Sequence, residues 1–147
     1  MTQKSGRRTK QTVYEEISRR MLTDARFLLK NGRWHGAVYL AGYAVECKLK
    51  AAVCRYLGVE VLPESFRTHD IQSLIRSAGL AEAVDSDKVI QVRFRRIDSM
   101  WRTEIRYAGN PPLPLQGGDY GKQEAENFLD TVRRIVQWLN TILLRAR

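Results

Sequence analysis

The sequence predicts an all-α fold, an antiparallel bundle of four to five helices. Three observations carry this reading. Apolar residues recur at spacings of three and four in five separate stretches. No stretch alternates apolar and polar residues as a half-buried strand does, and glycines stand where the helical patterns stop. At 147 residues the chain suits one domain, large enough to bury a core without disulfides or a metal.

Residues 1–11 are polar, basic and aperiodic, and read as a disordered tail ahead of a single bundle over 12–147. The first helix is predicted over 12–31, with Val13, Ile17, Met21, Ala25 and Leu28 as its apolar stripe and Gly32 as its stop. The second spans 34–57 and is apolar around more than half its circumference, which marks it as the central helix. Its small residues Gly36, Ala37, Ala41, Gly42 and Ala44 invite a close neighbour. Glycine within a helix costs about 1 kcal/mol against alanine, so a packing benefit is expected at Gly42. Gly58-Val59 and Gly79-Leu80 have the glycine-then-apolar form of Schellman stops. Between them lie a loop with Pro63 and a short helix over 69–78, capped by Thr68, with Asp70 in its first turn. A helix over 87–107 follows, with Ile90, Phe94, Ile97, Trp101 and Ile105 on one stripe. Gly- and Pro-rich residues 109–121 interrupt the helical pattern, and a final amphipathic helix occupies 122–145.

The net charge is +9, and setting aside Lys4, Arg7, Arg8 and Lys10 of the tail leaves +5 for the rest. Such an excess favours acidic partners, nucleic acid first. No apolar run approaches the ~18 residues of a membrane span. The N-terminus has no apolar signal core, so a soluble cytoplasmic protein is expected. Cys47 and Cys54 are seven residues apart on one helix. That separation rises about 10 Å, too far for a disulfide between them, and buried free thiols are expected. These cysteines and the distant His35 and His69 make no zinc spacing, so neither metal nor cofactor is expected.

Candidate chemistry concentrates on the helix over 87–107, which carries Arg93, Arg95, Arg96, Arg102 and Arg106. Arg95, Ser99, Arg102 and Arg106 share a stripe beside the Trp101 face, and Tyr107 follows. Guanidinium groups next to an aromatic ring suit phosphate contacts and base stacking. The alternative is a solvated face with local pairs such as Asp98–Arg102. Glu46 lies within the central helix and either pairs with Lys50 or is a buried carboxylate that orients an arginine. His69 reads as a surface or capping residue, or as a general base if a proton donor stands within reach. Ser65 lacks the glycines of a nucleophile elbow. Gly117-Gly118-Asp119-Tyr120-Gly121 lacks the strand and lysine of a phosphate loop and reads as a connection.

Three stretches, taken together, carry a family resemblance. The first is Ala25-Arg26-Phe27-Leu28-Leu29, then Gly32-Arg33-Trp34, then Gly36 to Ala51 with Tyr43-x-x-Glu46-x-x-Leu49-Lys50-Ala51 at its core. The second is His69-Asp70-Ile71 with Leu74, and the third is Trp101 with Glu104-Ile105-Arg106-Tyr107. In this order, over most of residues 12–145, they resemble the HEPN domain (higher eukaryotes and prokaryotes nucleotide-binding). The resemblance implies an all-α bundle, often a symmetric dimer. Its relatives include the helical domain of kanamycin nucleotidyltransferase and the HEPN partners of minimal nucleotidyltransferases in prokaryotic two-gene, toxin–antitoxin-like modules.

Many HEPN proteins are metal-independent ribonucleases that use an Arg-x(4–6)-His motif paired across the dimer. That motif is missing here. Leu62, Pro63 and Glu64 precede His69 at the required spacings, Leu28, Leu29 and Lys30 precede His35, and no histidine follows Arg106. The resemblance therefore implies binding of RNA or nucleotides by a non-catalytic or accessory partner of a nucleotidyltransferase. A ribonuclease or toxin with a non-standard site and a protein-interaction subunit are the alternatives. The expected binding residues are Arg95, Arg102, Arg106, Tyr107 and Glu46.

Overall fold

In the computed structural model, which describes residues 10–101 and 120–145, the chain turns back at Gly32 with φ 74°. Glycine takes that left-handed backbone without a Cβ penalty. The turn joins α1 (Gln11–Lys30) to α2 (Trp34–Leu57) as an antiparallel hairpin. The predicted stripe on α1 is displaced by one residue. Tyr14, Ser18, Leu22 and Ala25 are buried, Ile17, Met21 and Leu28 are half-buried, and Val13 is 40% exposed. The reason lies at the crossing with α2. There the Ser18 hydroxyl donates to the Ala44 carbonyl at 2.7 Å, so a polar residue takes the line of closest approach. At the start of α1, Gln11 N donates to the Glu60 carbonyl at 2.8 Å, and Lys10 just before it bridges to Val61. The predicted tail lies outside the described residues apart from Lys10 and Gln11.

α2 is the central helix, as predicted, and is buried continuously from Ala44 to Cys54. α1, the helix Ile71–Ser77 and the last helix, Tyr120–Arg145, cover it within the same chain, so its wide apolar surface does not call for a second subunit. Gly58 closes it in the left-handed region, with Val59 N donating to the Cys54 carbonyl at 2.9 Å. Cys47 and Cys54 are buried free thiols.

A 3-10 turn at Glu64–Phe66 leads to α3 (Ile71–Ser77), which is shorter than predicted. Asp70, not Thr68, caps it. The Asp70 carboxylate accepts from Gln72 N at 3.1 Å, while the Thr68 hydroxyl accepts from Asp70 N two residues earlier. Gly79 then stops α3 as expected, with Leu80 N donating to the Ile75 carbonyl. α4 (Ala81–Asp85) is a single turn that the sequence patterns do not single out.

α5 (Lys88–Met100) is capped by Asp87, whose carboxylate accepts from Val89 N and Ile90 N. Ile90, Phe94, Ile97 and Trp101 are buried, as the stripe predicts. The rest of that predicted helix, Ile105 included, and most of the Gly- and Pro-rich stretch lie outside the described residues. α6 (Tyr120–Arg145) buries Ala125, Phe128, Leu129, Val132, Ile135, Leu139 and Leu143 against α2, α5 and α1. Its first turn seats on the start of α2, where a Cβ on Gly121 would stand 1.7 Å from the Trp34 indole. The described residues thus form an all-α bundle around α2, with no named strand.

Candidate nucleic-acid interface

Glu46 sits on the most buried part of α2 and has no exposed surface. A carboxylate taken out of water needs charged or hydrogen-bonding partners to offset its lost hydration. Lys50, one turn on, donates to Oε2 at 3.0 Å. His69 supplies a second partner, its Nδ1 lying 3.0 Å from Oε1 and 3.1 Å from Oε2. The Lys50 ammonium also lies 5.8 Å from the centre of the Tyr14 ring, within cation–π range. Lys48, equally buried, pairs with Glu15 of α1. Lysine within the core is thus explained by a carboxylate at each ammonium. Pairing of Glu46 with Lys50 follows from their i,i+4 spacing, but the bond to His69 spans 23 positions and no local pattern announces it.

His69 joins the core to the surface. Its side chain is 57% exposed, and Nδ1 is the nitrogen turned to Glu46. The Thr68–Asp70–Gln72 hydrogen bonds fix the backbone at this point. Gln72 then reaches α5, its Nε2 donating to Asp98 Oδ2 at 2.6 Å. Asp98 is therefore on the α5 face that looks toward the start of α3. Arg95, three residues before it, shares that face.

Arg95 and Arg96 are exposed and Arg93 is half-buried, and among the described residues none of the three has an ion-pair partner. Ser99, on the expected stripe, turns its hydroxyl to the Arg96 carbonyl at 3.1 Å. Arg96 borders a groove of about 310 Å³ between α5 and α6, lined also by Met100, Glu124, Asn127, Phe128 and Thr131. Arg102, Arg106 and Tyr107 lie outside the described residues, as does the expected Asp98–Arg102 pair. Of the predicted set, Glu46 and Arg95 lie within the described residues. Glu46 meets His69, which the sequence reading kept apart from it. The available signal was a glutamate in an otherwise apolar helix, which required a partner from another element.

Trp101 anchors the end of α5. Its indole is buried, donates to the Tyr39 carbonyl at 3.0 Å and meets Tyr43 edge-on at 6.4 Å. Only a residue without a Cβ at position 42 leaves room for it. A Cβ on Gly42 would lie 2.2 Å from Trp101 Cδ1.

Nucleophilic chemistry finds little support in this region. Burial, reinforced by the Glu46 charge, pushes the Cys47 thiol up to about 12, and burial also raises Cys54. The Tyr43 hydroxyl is raised by burial and then by Cys47 and Glu46. Among the described residues no group of three His, Cys, Asp or Glu side chains is placed to hold a metal ion. No described helix is long and apolar enough to cross a membrane.

Compared with known proteins, the chain matches the family described as HEPN domain over residues 14–142. No curated protein and no solved structure matches it.

Proposed function

The chain belongs to the HEPN domain family, and on that premise we propose that it binds RNA or nucleotides through phosphate contacts on α5, from Arg95 on the side toward α3 to Arg96 at the groove with α6. The observation that carries this reading is the pair Arg95 and Arg96, exposed and without ion-pair partners among the described residues. A guanidinium held on a rigid helix with no internal carboxylate to neutralise it is available to a phosphate. Arg102, Arg106 and Tyr107 extend this surface in the proposal, Tyr107 as a stacking ring. The groove beside Arg96 falls at the lower end of small-ligand pocket sizes and offers the amide of Asn127 to a base. The protein works in this reading as a homodimer and as the accessory partner of a nucleotidyltransferase in a toxin–antitoxin-like module.

The test is a titration of labelled single-stranded RNA at several salt concentrations, with the full chain and with a variant lacking residues 1–9. Binding that weakens steeply with salt and survives the truncation supports the reading, because released counterions report phosphate contacts. Loss of all salt-sensitive binding with the tail would overturn it.

A second reading, a ribonuclease with a non-standard site, draws on the Glu46–His69 pair, since a carboxylate-held imidazole is suited to taking a proton. Cleavage of RNA that His69→Ala abolishes would carry that reading.

A further inference from the structure

The bond to Glu15 answers the buried ammonium of Lys48 only in part. An ammonium carries three N–H donors. Glu15 accepts one of them, and among the described residues no other group is hydrogen-bonded to Lys48. The side chain is 9% exposed, so little of it is open to bulk water. Lys48 does, however, line a cavity of about 240 Å³ where α2 meets α1 and α6.

The rest of the wall comes from one stripe of α1 and one of α6. On α1, Glu15, Ser18, Arg19 and Leu22 follow spacings of three and four, which puts them on one face. On α6, Val136 and Asn140 stand one turn apart. Ser18 is committed to the Ala44 carbonyl. Arg19 is not committed. Glu15, one turn before it, is turned to Lys48, and the exposed Arg19 has no ion-pair partner among the described residues. Two cations against one carboxylate leave the cavity with one positive charge. Leu22 is buried and Val136 half-buried, so the same space has an apolar side. A dianionic phosphate exceeds that single charge and is repelled by Glu15. The volume also falls below the ~300–1,000 Å³ of pockets for drug-sized ligands.

We propose that this cavity binds a small aliphatic monocarboxylate. The carboxylate accepts from Arg19 and Lys48, with the Asn140 amide as a further donor, and the hydrocarbon lies against Leu22 and Val136. A molecule held there ties α1 to α6 across the central helix and so stabilises the bundle. None of the lining residues belongs to α5, so the site is separate from the phosphate-binding surface and independent of that reading.

The experiment titrates the full chain with isovalerate, with chloride holding the ionic strength constant. Backbone amide shifts are followed by NMR and Tm by circular dichroism. Isovaleramide, the same hydrocarbon without the charge, and inorganic phosphate, a charge without the hydrocarbon, are titrated in parallel. Isovalerate is expected to saturate in the millimolar range, as suits so small a ligand, and to shift the amides of Ser18, Lys48 and Asn140. At tenfold its Kd it should raise Tm by roughly 3–6 °C. Isovaleramide and phosphate should do neither. Arg19→Gln should weaken isovalerate about tenfold, the loss expected of one hydrogen bond to a charged group. Arg20→Gln, at an exposed neighbour that does not line the cavity, should leave the affinity unchanged.

No saturation at tens of millimolar would overturn the proposal. So would binding of isovaleramide or phosphate as tight as that of isovalerate, an unchanged affinity in Arg19→Gln, or amide shifts confined to residues away from the cavity.

Discussion

Replacing Gly42 with alanine should destabilise this protein, although alanine is the better helix former. Carbon atoms settle at ~3.5–4.0 Å. The added Cβ would start 2.2 Å from Trp101 Cδ1 and 2.3 Å from Cγ and Nε1, so the indole must retreat by more than ~1 Å. Trp101 is 3% exposed, and that retreat runs into packed neighbours. Overpacking of this kind costs ~1–3 kcal/mol. The movement also draws Nε1 away from the Tyr39 carbonyl at 3.0 Å, and a buried donor left unmatched costs a further ~1–3 kcal/mol. Against these stands the ~1 kcal/mol that alanine returns to a helix. The net loss is about 1–5 kcal/mol, a fall in Tm of roughly 2–20 °C for a domain of this size. Thermal melting by circular dichroism measures it, with Gly36→Ala as the control. A Cβ on Gly36 meets only the flexible end of Leu28 at 3.2 Å, so that variant should melt near or above the parent. If Gly42→Ala melts at or above the parent temperature, the indole does not occupy the notch described.

Arg95→Ala and Arg96→Ala should each leave stability within roughly 0.5 kcal/mol while weakening RNA binding and lowering its salt slope by about 1; a binding titration at several salt concentrations checks both. Arg106→Ala should likewise lower affinity with little change in melting, and a large melting loss at unchanged affinity per folded molecule would remove Arg106 from the interface. The native thiols should resist an aromatic disulfide reagent at pH 8, where a Cys47 thiol at about 12 is ionised in only about one molecule in ten thousand; prompt labelling before denaturation would contradict that burial. Sedimentation at tens of micromolar should show a dimer, and a monomer would remove that part of the proposal.

What the sequence disclosed follows the strength of each local pattern. α6 was legible because its apolar residues make one stripe with no competitor. α2 was legible as central, since few exposed helices spread apolar residues so widely. That apolar spread is taken up within one chain, where α1, α3 and α6 cover α2. α1 was misplaced by one residue because two neighbouring stripes both have helical spacing. Hydrophobicity favours Val13, Ile17 and Met21, whereas a close crossing favours Tyr14, Ser18 and Leu22, and the hydroxyl of Ser18 is satisfied there. Glu46 was legible as an anomaly, but not its bond to His69, because periodicity says nothing about which distant residue answers a buried charge. Thr68 and Asp70 are both good caps by residue type, and only the turn geometry selects Asp70.

The hairpin of α1 and α2 is local in sequence, whereas the helix that closes the core over α2 is the last described in chain order. A ribosome therefore delivers the most apolar surface of the molecule well before its cover. At ~5–20 residues per second, the stretch between Leu57 and Tyr120 takes roughly 3–12 s to appear. For that interval the nascent hairpin carries a bare apolar flank, a target for holdase chaperones and for sticking to its neighbours on a polysome. Yield in the cell should then depend on how fast the segment between α2 and α6 is translated, a dependence that no measurement on the finished fold would reveal.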